Sequence, residues 1–322
     1  MRRIVVADIG GTHARFAVAE ANDGEVRVGP ATKMRAADHA SLQTAWEAFQ
    51  GAQDTPLPNE AALAIAAPIR GDVIKMTNSP WTLRPAELPR ELGLERLTLI
   101  NDFEAVAHAV DGAGEDELRR IAGPDVPLPD EGVISVVGPG TGLGVAFIVR
   151  ADGRSHVRAT EGGHLDFAPT DDIEDRILHR LRGQHGRVSV ERVASGPGFR
   201  TILEVLADLE GRAVPEGSDA ELWTLALAGD DSLAAAALDR FCRCLGGAAG
   251  DLALAHGPGA VVIAGGLGQR LADVLPASGF AERFAAKGRY RALMQGLPVK
   301  LITHAEPGLL GAARAFLREH PQ

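Results

Sequence analysis

Residues Ile4-Val5-Val6-Ala7-Asp8-Ile9-Gly10-Gly11-Thr12 form an apolar run that ends in an aspartate and a glycine turn. A second apolar run follows at 14–19, then the turn Asn22-Asp23-Gly24, and then the alternating pair Val26 and Val28. Short apolar runs separated by glycine turns are typical of antiparallel strands. The sequence therefore predicts a strand, a glycine turn, a second strand, a hairpin turn and a third strand.

A similar plan recurs far downstream. An apolar run at 133–137 leads into Gly138-Pro139-Gly140-Thr141-Gly142, and a second run at 143–149 is followed by the turn Ala151-Asp152-Gly153 and a third strand toward Thr160. Two strand meanders with a Gly/Thr turn at the first hairpin indicate a duplicated fold. The alternative is that short strands joined by glycine turns look alike without any duplication.

The rest of the chain alternates strands with helices, which is typical of an α/β protein with mainly parallel pairing outside the meanders. Strands are predicted at 61–67, 97–100, 261–264 and 299–303, and helices at 41–49, 103–110, 173–182, 201–209, 220–228, 233–256 and 309–318. Three prolines in 124–130 suggest a linker into the second half.

Length and composition exclude several classes of protein. A chain of 322 residues suits two domains, and 45% hydrophobic with 24% charged residues is ordinary for a globular protein. A net charge of −10 has the wrong sign for general binding to nucleic acid or anionic membranes. No apolar run is long enough to span a bilayer, the first residues do not form a signal peptide, and two cysteines make no disulfide framework. We therefore expect a reduced, cytoplasmic protein.

Common nucleotide and hydrolase motifs are missing from the sequence. None of the four lysines follows a glycine, so there is no P-loop. The dinucleotide fingerprint fails because Leu143 or Val145 stands at its last position. The chain also lacks a His-Arg-Asp loop, a Gly-x-Ser-x-Gly elbow and a His-Glu-x-x-His helix.

The glycine turns themselves are suited to binding phosphate. In Gly10-Gly11-Thr12 and Gly140-Thr141-Gly142, turns without side chains let backbone N–H groups approach phosphate oxygens, and the threonines add hydroxyl donors. Gly265-Gly266 after a buried strand offers a flat surface for a nucleoside. Asp8 could hold a divalent cation through water, because magnesium keeps most of its waters. One such turn is usually only a turn, but the three together favour a nucleotide clamp between two lobes.

These three glycine segments, with Asp8 before the first, resemble the ATPase fold of hexokinase, actin and the heat-shock chaperones. Further segments resemble the bacterial ATP-dependent glucokinases of the non-zinc type, and the resemblance runs essentially from end to end. The segments are Asn101-Asp102-Phe103, Gly138-Pro139-Gly140-Thr141-Gly142-Leu143-Gly144-Val145, Glu161-Gly162-Gly163-His164-Leu165-Asp166-Phe167-Ala168-Pro169, Ser195-Gly196-Pro197-Gly198 and Pro307-Gly308-Leu309-Leu310-Gly311.

The resemblance implies a two-lobed, duplicated α/β fold of the actin/hexokinase (ribonuclease H-like) type, with the ligand cleft between the lobes. We expect a small domain at 1–110, joined by a C-terminal helix at 303–322, and a large domain at 111–302. The implied activity is transfer of the γ-phosphoryl group of Mg-ATP to the 6-hydroxyl of glucose, giving glucose 6-phosphate and ADP at the entry to glycolysis. A homodimer is also expected, without nucleic-acid or membrane partners.

The resemblance also assigns the binding residues. ATP contacts are expected at Asp8, Gly10, Gly11, Thr12, Gly140, Thr141, Gly142, Gly265 and Gly266, with Mg²⁺ at Asp8 through water. Glucose contacts are expected at Asn101, Asp102, Glu161, His164 and Glu191. From the residues alone, Glu161 and His164 suit a polar glycine-rich turn better than a sugar site, and Glu191 suits an exposed helix.

Asp102 admits two interpretations from its spacing. It follows a strand at the end where α/β folds bind ligands, and a carboxylate there could take the proton of a sugar hydroxyl. Asn101 and Glu104 could equally form a capping box at the start of a helix. The resemblance to glucokinases favours Asp102 as the catalytic base.

Two features distinguish this chain from other sugar kinases. Cys242 and Cys244 are two apart on a predicted helix, so packing is expected, and the zinc motif of the repressor–kinase sugar kinases is missing. His13 stands where the glucokinases usually have asparagine, which leaves open any contact at that position.

Three alternative functions differ in the sequence features that they require. The acceptor could be another hexose or an amino sugar, which a panel of sugars would separate. A sugar-sensing regulator would need a DNA-binding module, for which the first strand at Ile4 leaves no room. We would expect a chaperone ATPase to have a peptide-binding domain after the nucleotide lobes, whereas this sequence ends at Gln322.

Overall fold

A computed structural model describes residues 1–22, 24–76, 79 and 81–321 of the chain. Strands are β1 Arg2–Ile9, β2 His13–Asn22, β3 Glu25–Val28, β4 Thr32–Arg35, β5 Glu60–Ile65, β6 Ile74–Lys75, β7 Thr82–Leu83, β8 Arg96–Asn101, β9 Leu118–Ala122, β10 Gly132–Pro139, β11 Leu143–Ala151, β12 Arg154–Thr160, β13 Ala260–Ile263 and β14 Val299–Ile302. Helices are α1 Leu42–Gly51, α2 Leu88–Leu92, α3 Asp102–Asp111, α4 Asp172–His185, α5 Gly198–Glu210, α6 Asp219–Ala228, α7 Ser232–His256, α8 Gly265–Arg270, α9 Phe280–Ala285, α10 Arg291–Gln295 and α11 Pro307–Glu319.

The chain divides into two compact units. The first unit consists of Met1–Ala113, Val157–Ala159 and His304–Gln322, and the second of Gly114–His156 and Thr160–Thr303. Each unit has its own large sheet, and each is described separately below.

The first unit is built on a sheet in the order β3-β2-β1-β5-β8, with β4 paired to the other end of β2. The hairpin β1–β2 is antiparallel, whereas β5 and β8 run parallel to β1. Both faces of the central strands are apolar, as expected where helices cover both faces of a sheet. One face packs with α1 and α2 around Phe16 and Trp46, and the other with α3 and α11 around Ala105 and Phe316.

The second unit repeats this plan. Its sheet has the strand order β12-β11-β10-β13-β14-β9. Strands β10 and β11 are antiparallel, β13 runs parallel to β10, and β14 runs parallel to β13. The edge strand β9 pairs antiparallel with β14. A core that contains residues of α4, α5, α6, α7 and α9 packs against this sheet. Within it Cys242 and Cys244 are buried and free, which confirms the expectation that they pack in a helix.

Most predicted elements are present within a few residues of their predicted ends, and the strand meander predicted twice is found in both units. The turn predicted at Asn22-Asp23-Gly24 includes Asp23, which lies outside the described residues. The linker predicted at 124–130 is wrong, because β9 precedes this segment and already belongs to the second sheet. None of the described helices is long and apolar enough to cross a membrane.

His108 on α3 gives the first unit a predictable sensitivity to acid. The pKa of His108 is lowered from its ordinary value to about 4, first by burial and then by the charge of Arg318, while Asp111 acts in the opposite direction. Below the pKa of about 6.5 in the unfolded chain, the unfolded state takes up a proton that the folded state refuses, so acid destabilises the fold. We expect this group alone to remove about 2 kcal/mol of the free energy of unfolding between pH 7.5 and pH 5.

The measurement is urea unfolding of the native chain and of His108→Gln at both values of pH. The variant should lose less stability on acidification than the native chain. His185→Gln, at the exposed end of α4, is the control and should follow the native chain. An equal loss in the native chain and in His108→Gln would contradict the assignment.

Candidate active site

The glycine turn of the first unit follows directly from the end of β1. The N–H of Gly10 donates to the carbonyl of His13 at 2.9 Å, which closes the turn and leaves Gly11 and Thr12 at its tip. The tip therefore presents backbone N–H groups and one hydroxyl, as a phosphate-binding turn requires.

Asp8 lies beside this turn and is paired with a cation. Its Oδ2 accepts a hydrogen bond from Nη1 of Arg15 at 2.9 Å, and Nε of Arg15 is 3.7 Å from Oε2 of Glu306. Burial raises the pKa of Asp8, while the Arg15 guanidinium acts in the opposite direction. Arg15 thus holds one oxygen of Asp8 and favours its ionised form.

The surroundings of Asp8 fit a water-bridged magnesium ion. A Cβ on Gly308 would lie 3.3 Å from the Asp8 carboxyl carbon, so the missing side chain keeps this side of the carboxylate open. Within the described residues, no group of three or more His, Cys, Asp and Glu side chains could hold a metal ion by itself. A single carboxylate, with waters and phosphate oxygens, is the usual arrangement for magnesium in a phosphoryl-transfer site.

Asn101 and Asp102 stand where β8 passes into α3. Oδ1 of Asn101 accepts from the N–H groups of Phe103 and Glu104 at 2.9 and 3.2 Å, so Asn101 caps the helix. Oδ1 of Asp102 also accepts from the N–H of Phe103 at 2.9 Å. Burial raises the pKa of Glu104, and the charge of Arg158 and the backbone N–H of Asn101 lower it. The segment therefore starts a helix as one interpretation predicted, with Asn101 as the cap and Asp102 as the first residue.

The sheet register brings this segment to the same edge as the first glycine turn. Ile9 lies opposite Ile65, and Ile65 lies opposite Asn101, so the carboxyl ends of β1, β5 and β8 are level. Nδ2 of Asn101 also donates to the carbonyl of Ala67 at 3.3 Å. Level carboxyl ends of parallel strands are the usual ligand-binding edge of an α/β sheet.

The glycine turn of the second unit is held by Glu191. Oε2 of Glu191 accepts from the N–H of Leu143 at 3.0 Å, and a Cβ on Gly142 would lie 2.4 Å from the same oxygen. The carbonyl of Gly140 accepts from the N–H of Gly196 at 2.7 Å. Glu191 lies in the short 3₁₀ turn Val190–Arg192 and points to the glycine turn, so its interpretation as an exposed helix charge is wrong.

Glu161 and His164 are the two ends of one short turn. Gly162–His164 form a 3₁₀ helix, and Nε2 of His164 lies 4.0 Å from Oε2 of Glu161. Their side chains are 69% and 57% exposed, so both are open to a ligand. The N–H of Val190 donates to the carbonyl of Leu165 at 2.8 Å, which ties this turn to the segment that carries Glu191.

Gly163 fixes the position of that turn. A Cβ on Gly163 would lie 2.2 Å from the carbonyl oxygen of Leu143, a distance that no side-chain carbon can adopt. Glu161, His164 and Glu191 are therefore gathered around the residue that follows the second glycine turn.

Gly265 and Gly266 begin α8, at the end of β13. Gly265 has φ +80° and lies against the carbonyl of Pro139, so a residue with a side chain would be strained there. The N–H of Ala264 donates to the carbonyl of Val137 at 2.9 Å, which places this segment beside the end of β10.

The predicted residues thus form two groups, one in each unit. The first unit holds Asp8, Gly10, Gly11, Thr12, Asn101 and Asp102, and the second unit holds Gly140, Thr141, Gly142, Glu161, His164, Glu191, Gly265 and Gly266. Arg15, which holds Asp8, and Glu306, which pairs with Arg15, were not predicted. Arg15 could have been found from the sequence, because it lies opposite Asp8 once the first hairpin is closed at Gly10 and Gly11.

Comparisons with known proteins point to a single family. The family model described as Glucokinase matches residues 5–319. The glucokinase of Zymomonas mobilis is 54% identical over 320 residues, covering 99% of both chains. The glucokinase of Caulobacter vibrioides is 41% identical over 319 residues, covering 98% of this chain and 95% of that one.

A solved structure agrees as well. The glucokinase of an Antarctic psychrotroph superposes with a TM-score of 0.84 at 35% identity, covering 99% of both chains. The hexokinase-like α/β fold implied by the glycine segments is thereby confirmed. The chain belongs to the glucokinase family of ATP-dependent sugar kinases.

Proposed function

We propose that this protein transfers the γ-phosphoryl group of Mg-ATP to the 6-hydroxyl of glucose, with Asp102 as the catalytic base. The proposal rests on the start of α3. There Asn101 caps the helix, which leaves Asp102 to supply a carboxylate at the first helical position. Negative charge is stabilised at a helix N-terminus, and a general base needs a carboxylate within reach of the reacting hydroxyl.

Asp102 would accept the proton of the 6-hydroxyl as its oxygen attacks the γ-phosphorus. Asn101, Glu161, His164 and Glu191 would bind the remaining hydroxyls, since carboxylates accept and an imidazole both donates and accepts. Fixing the sugar in one orientation supplies much of the rate in phosphoryl transfer, because the reaction needs positioning more than covalent help from the protein.

The glycine turns would hold the nucleotide. Backbone N–H groups and hydroxyls at Gly10–Thr12 and Gly140–Gly142 suit the phosphates, and Gly265-Gly266 suits the nucleoside. Asp8 would bind Mg²⁺ through water, and Arg15 orients that carboxylate and favours its charged form. The bound ion would neutralise the charge of the phosphates.

The test is ADP formation from Mg-ATP with glucose, without sugar, and with mannose, fructose or N-acetylglucosamine. We expect glucose to give turnover well above the rate without sugar and above that of the other sugars. ADP formation that no sugar increases would contradict the proposal, and a higher kcat/KM for another sugar would replace glucose as the acceptor.

The proposal also covers the cellular location of the protein and its oligomeric state. We expect a cytoplasmic enzyme, where ATP is available and the buried thiols of Cys242 and Cys244 stay reduced. We also expect a homodimer, which light scattering of the purified chain would measure directly. A mass equal to one chain at micromolar concentration would contradict the dimer.

A further inference from the structure

Four basic side chains share one face of the strand pair β2–β4. His13 lies opposite Arg35, and Arg15 lies opposite Lys33. Successive residues of a strand point to opposite faces, so these four lie together while Ala14, Phe16 and Met34 point the other way. We name the four residues His13, Arg15, Lys33 and Arg35 the basic strand face.

The position of this face is fixed by the core on its reverse side. Ala14 and Phe16 are fully buried in the first unit, and Met34 packs against the same core. The strand pair therefore cannot turn over, and its basic side chains must remain on the outer face.

The basic strand face adjoins the first glycine turn. The N–H of Ala36, directly after Arg35, donates to the carbonyl of Thr12 at 2.9 Å. His13 closes the turn through its carbonyl, as described above. A phosphate group held at the tip of this turn would therefore have the basic strand face next to it.

The charges on this face are only partly neutralised. Arg15 is paired with Asp8 and Glu306. In the described part of the chain, the side chains of His13, Lys33 and Arg35 form no hydrogen bond or ion pair. Lys33 and Arg35 are exposed, whereas His13 is half-buried.

The like charges of the basic strand face lower the stability of the fold unless a bound anion neutralises them. Like charges directly opposite each other across two strands are destabilising. The pKa of His13 is lowered, first by burial and then by the charges of Lys33, Arg15 and Arg35. The chain as a whole has a net charge of −10, so a cluster of positive charges stands out on it and favours a bound anion at this face.

We propose that His13, Lys33 and Arg35 form an oxyanion subsite that binds a phosphate group beside the Gly10–Thr12 turn. The subsite deepens the proposed kinase function, on which it rests, by adding side-chain cations to a turn that otherwise offers N–H groups and a hydroxyl. Its ligand is a phosphate oxyanion, carried either by the nucleotide or by a condensed phosphate without a nucleoside.

The experiment measures binding of inorganic tripolyphosphate to the full chain by calorimetry, without sugar. Lys33→Gln/Arg35→Gln removes two charges from the subsite and leaves Arg15 and Asp8 in place. Arg27→Gln/Lys75→Gln removes two exposed charges elsewhere in the first unit and is the matched control. We expect the subsite variant to bind about tenfold more weakly, and the control to stay within about twofold of the native chain.

A second arm separates the two sources of phosphate. If the affinities for ATP and tripolyphosphate both fall while that for adenosine is unchanged, the subsite serves the nucleotide. If only the affinity for tripolyphosphate falls, it serves a phosphate without a nucleoside. Equal affinities of the subsite variant and the control for both ligands would overturn the proposal.

A third variant tests the histidine. His13→Asn removes the imidazole and is expected to weaken tripolyphosphate binding at pH 5 more than at pH 8, because only the protonated ring attracts an anion and the pKa of His13 is lowered in the free chain. An equal change at both values of pH would remove His13 from the subsite. Because no sugar is present, all these results remain interpretable even if the chain forms no ADP with glucose.

Discussion

Asp102→Asn is expected to lower the turnover of glucose by about 10²–10⁴, the usual contribution of a general base. The asparagine can still accept the N–H of Phe103 as Asp102 does, and Asn101 continues to cap α3. The helix should therefore form as before, and the affinity for glucose should change little. The measurement combines kcat from coupled ADP formation with the midpoint of thermal unfolding.

Asp111→Asn is the matched control for this variant. Asp111 is the last residue of the same helix, and its Oδ2 lies 3.5 Å from Nη1 of Arg318. Loss of this partly exposed pair should cost at most about 1 kcal/mol of stability and should leave turnover unchanged. Turnover of Asp102→Asn within a few-fold of the native chain would remove Asp102 as the base.

Gly163→Ala is expected to impair use of glucose through the backbone. The new Cβ would meet the Leu143 carbonyl at 2.2 Å, and relieving this contact moves the turn by about 1 Å. Glu161 and His164 move with it. Misplacement of this size can cost up to about 100-fold in kcat/KM. We also expect a loss of about 1–3 kcal/mol in stability, as is typical when a packed site is overfilled.

Gly183→Ala is the control that distinguishes displacement of the Gly163 turn from the effect of any glycine-to-alanine substitution. Gly183 lies inside α4, and a Cβ there meets nothing within 4 Å. It should keep full activity and gain up to about 1 kcal/mol, because alanine favours the helix. An unchanged KM for glucose in Gly163→Ala would show that the position of the turn does not matter for the sugar.

The fold was predictable where local patterns are strong. The run at Ile4–Ile9, the glycine turn and the long apolar periodicity of α7 each determine their element without help from the rest of the chain. The strands β4 and β9 were missed, because Thr32-Lys33-Met34-Arg35 and Leu118-Arg119-Arg120-Ile121-Ala122 carry charge and are edge strands. Edge strands commonly carry charged residues, which discourage pairing with another chain, so their sequences lack a continuous apolar run.

The candidate site was predictable mainly through resemblance. Spacing alone left Asp102 divided between a base and a helix start, and the structure shows Asn101 as the cap. The contact of Glu191 with Leu143 joins residues 48 positions apart, and no local pattern reports such a pair. The basic strand face likewise exists only once the register of β2 and β4 is known.

The most direct test of the account compares ADP formation with glucose and with 6-deoxyglucose. Both sugars offer the same hydroxyls to Asn101, Glu161, His164 and Glu191, but only glucose has the oxygen that Asp102 is proposed to deprotonate. We predict rapid ADP formation with glucose, and with 6-deoxyglucose a rate no higher than that without sugar. Equal stimulation by the two sugars would show that the 6-hydroxyl is not the acceptor and would contradict the mechanism.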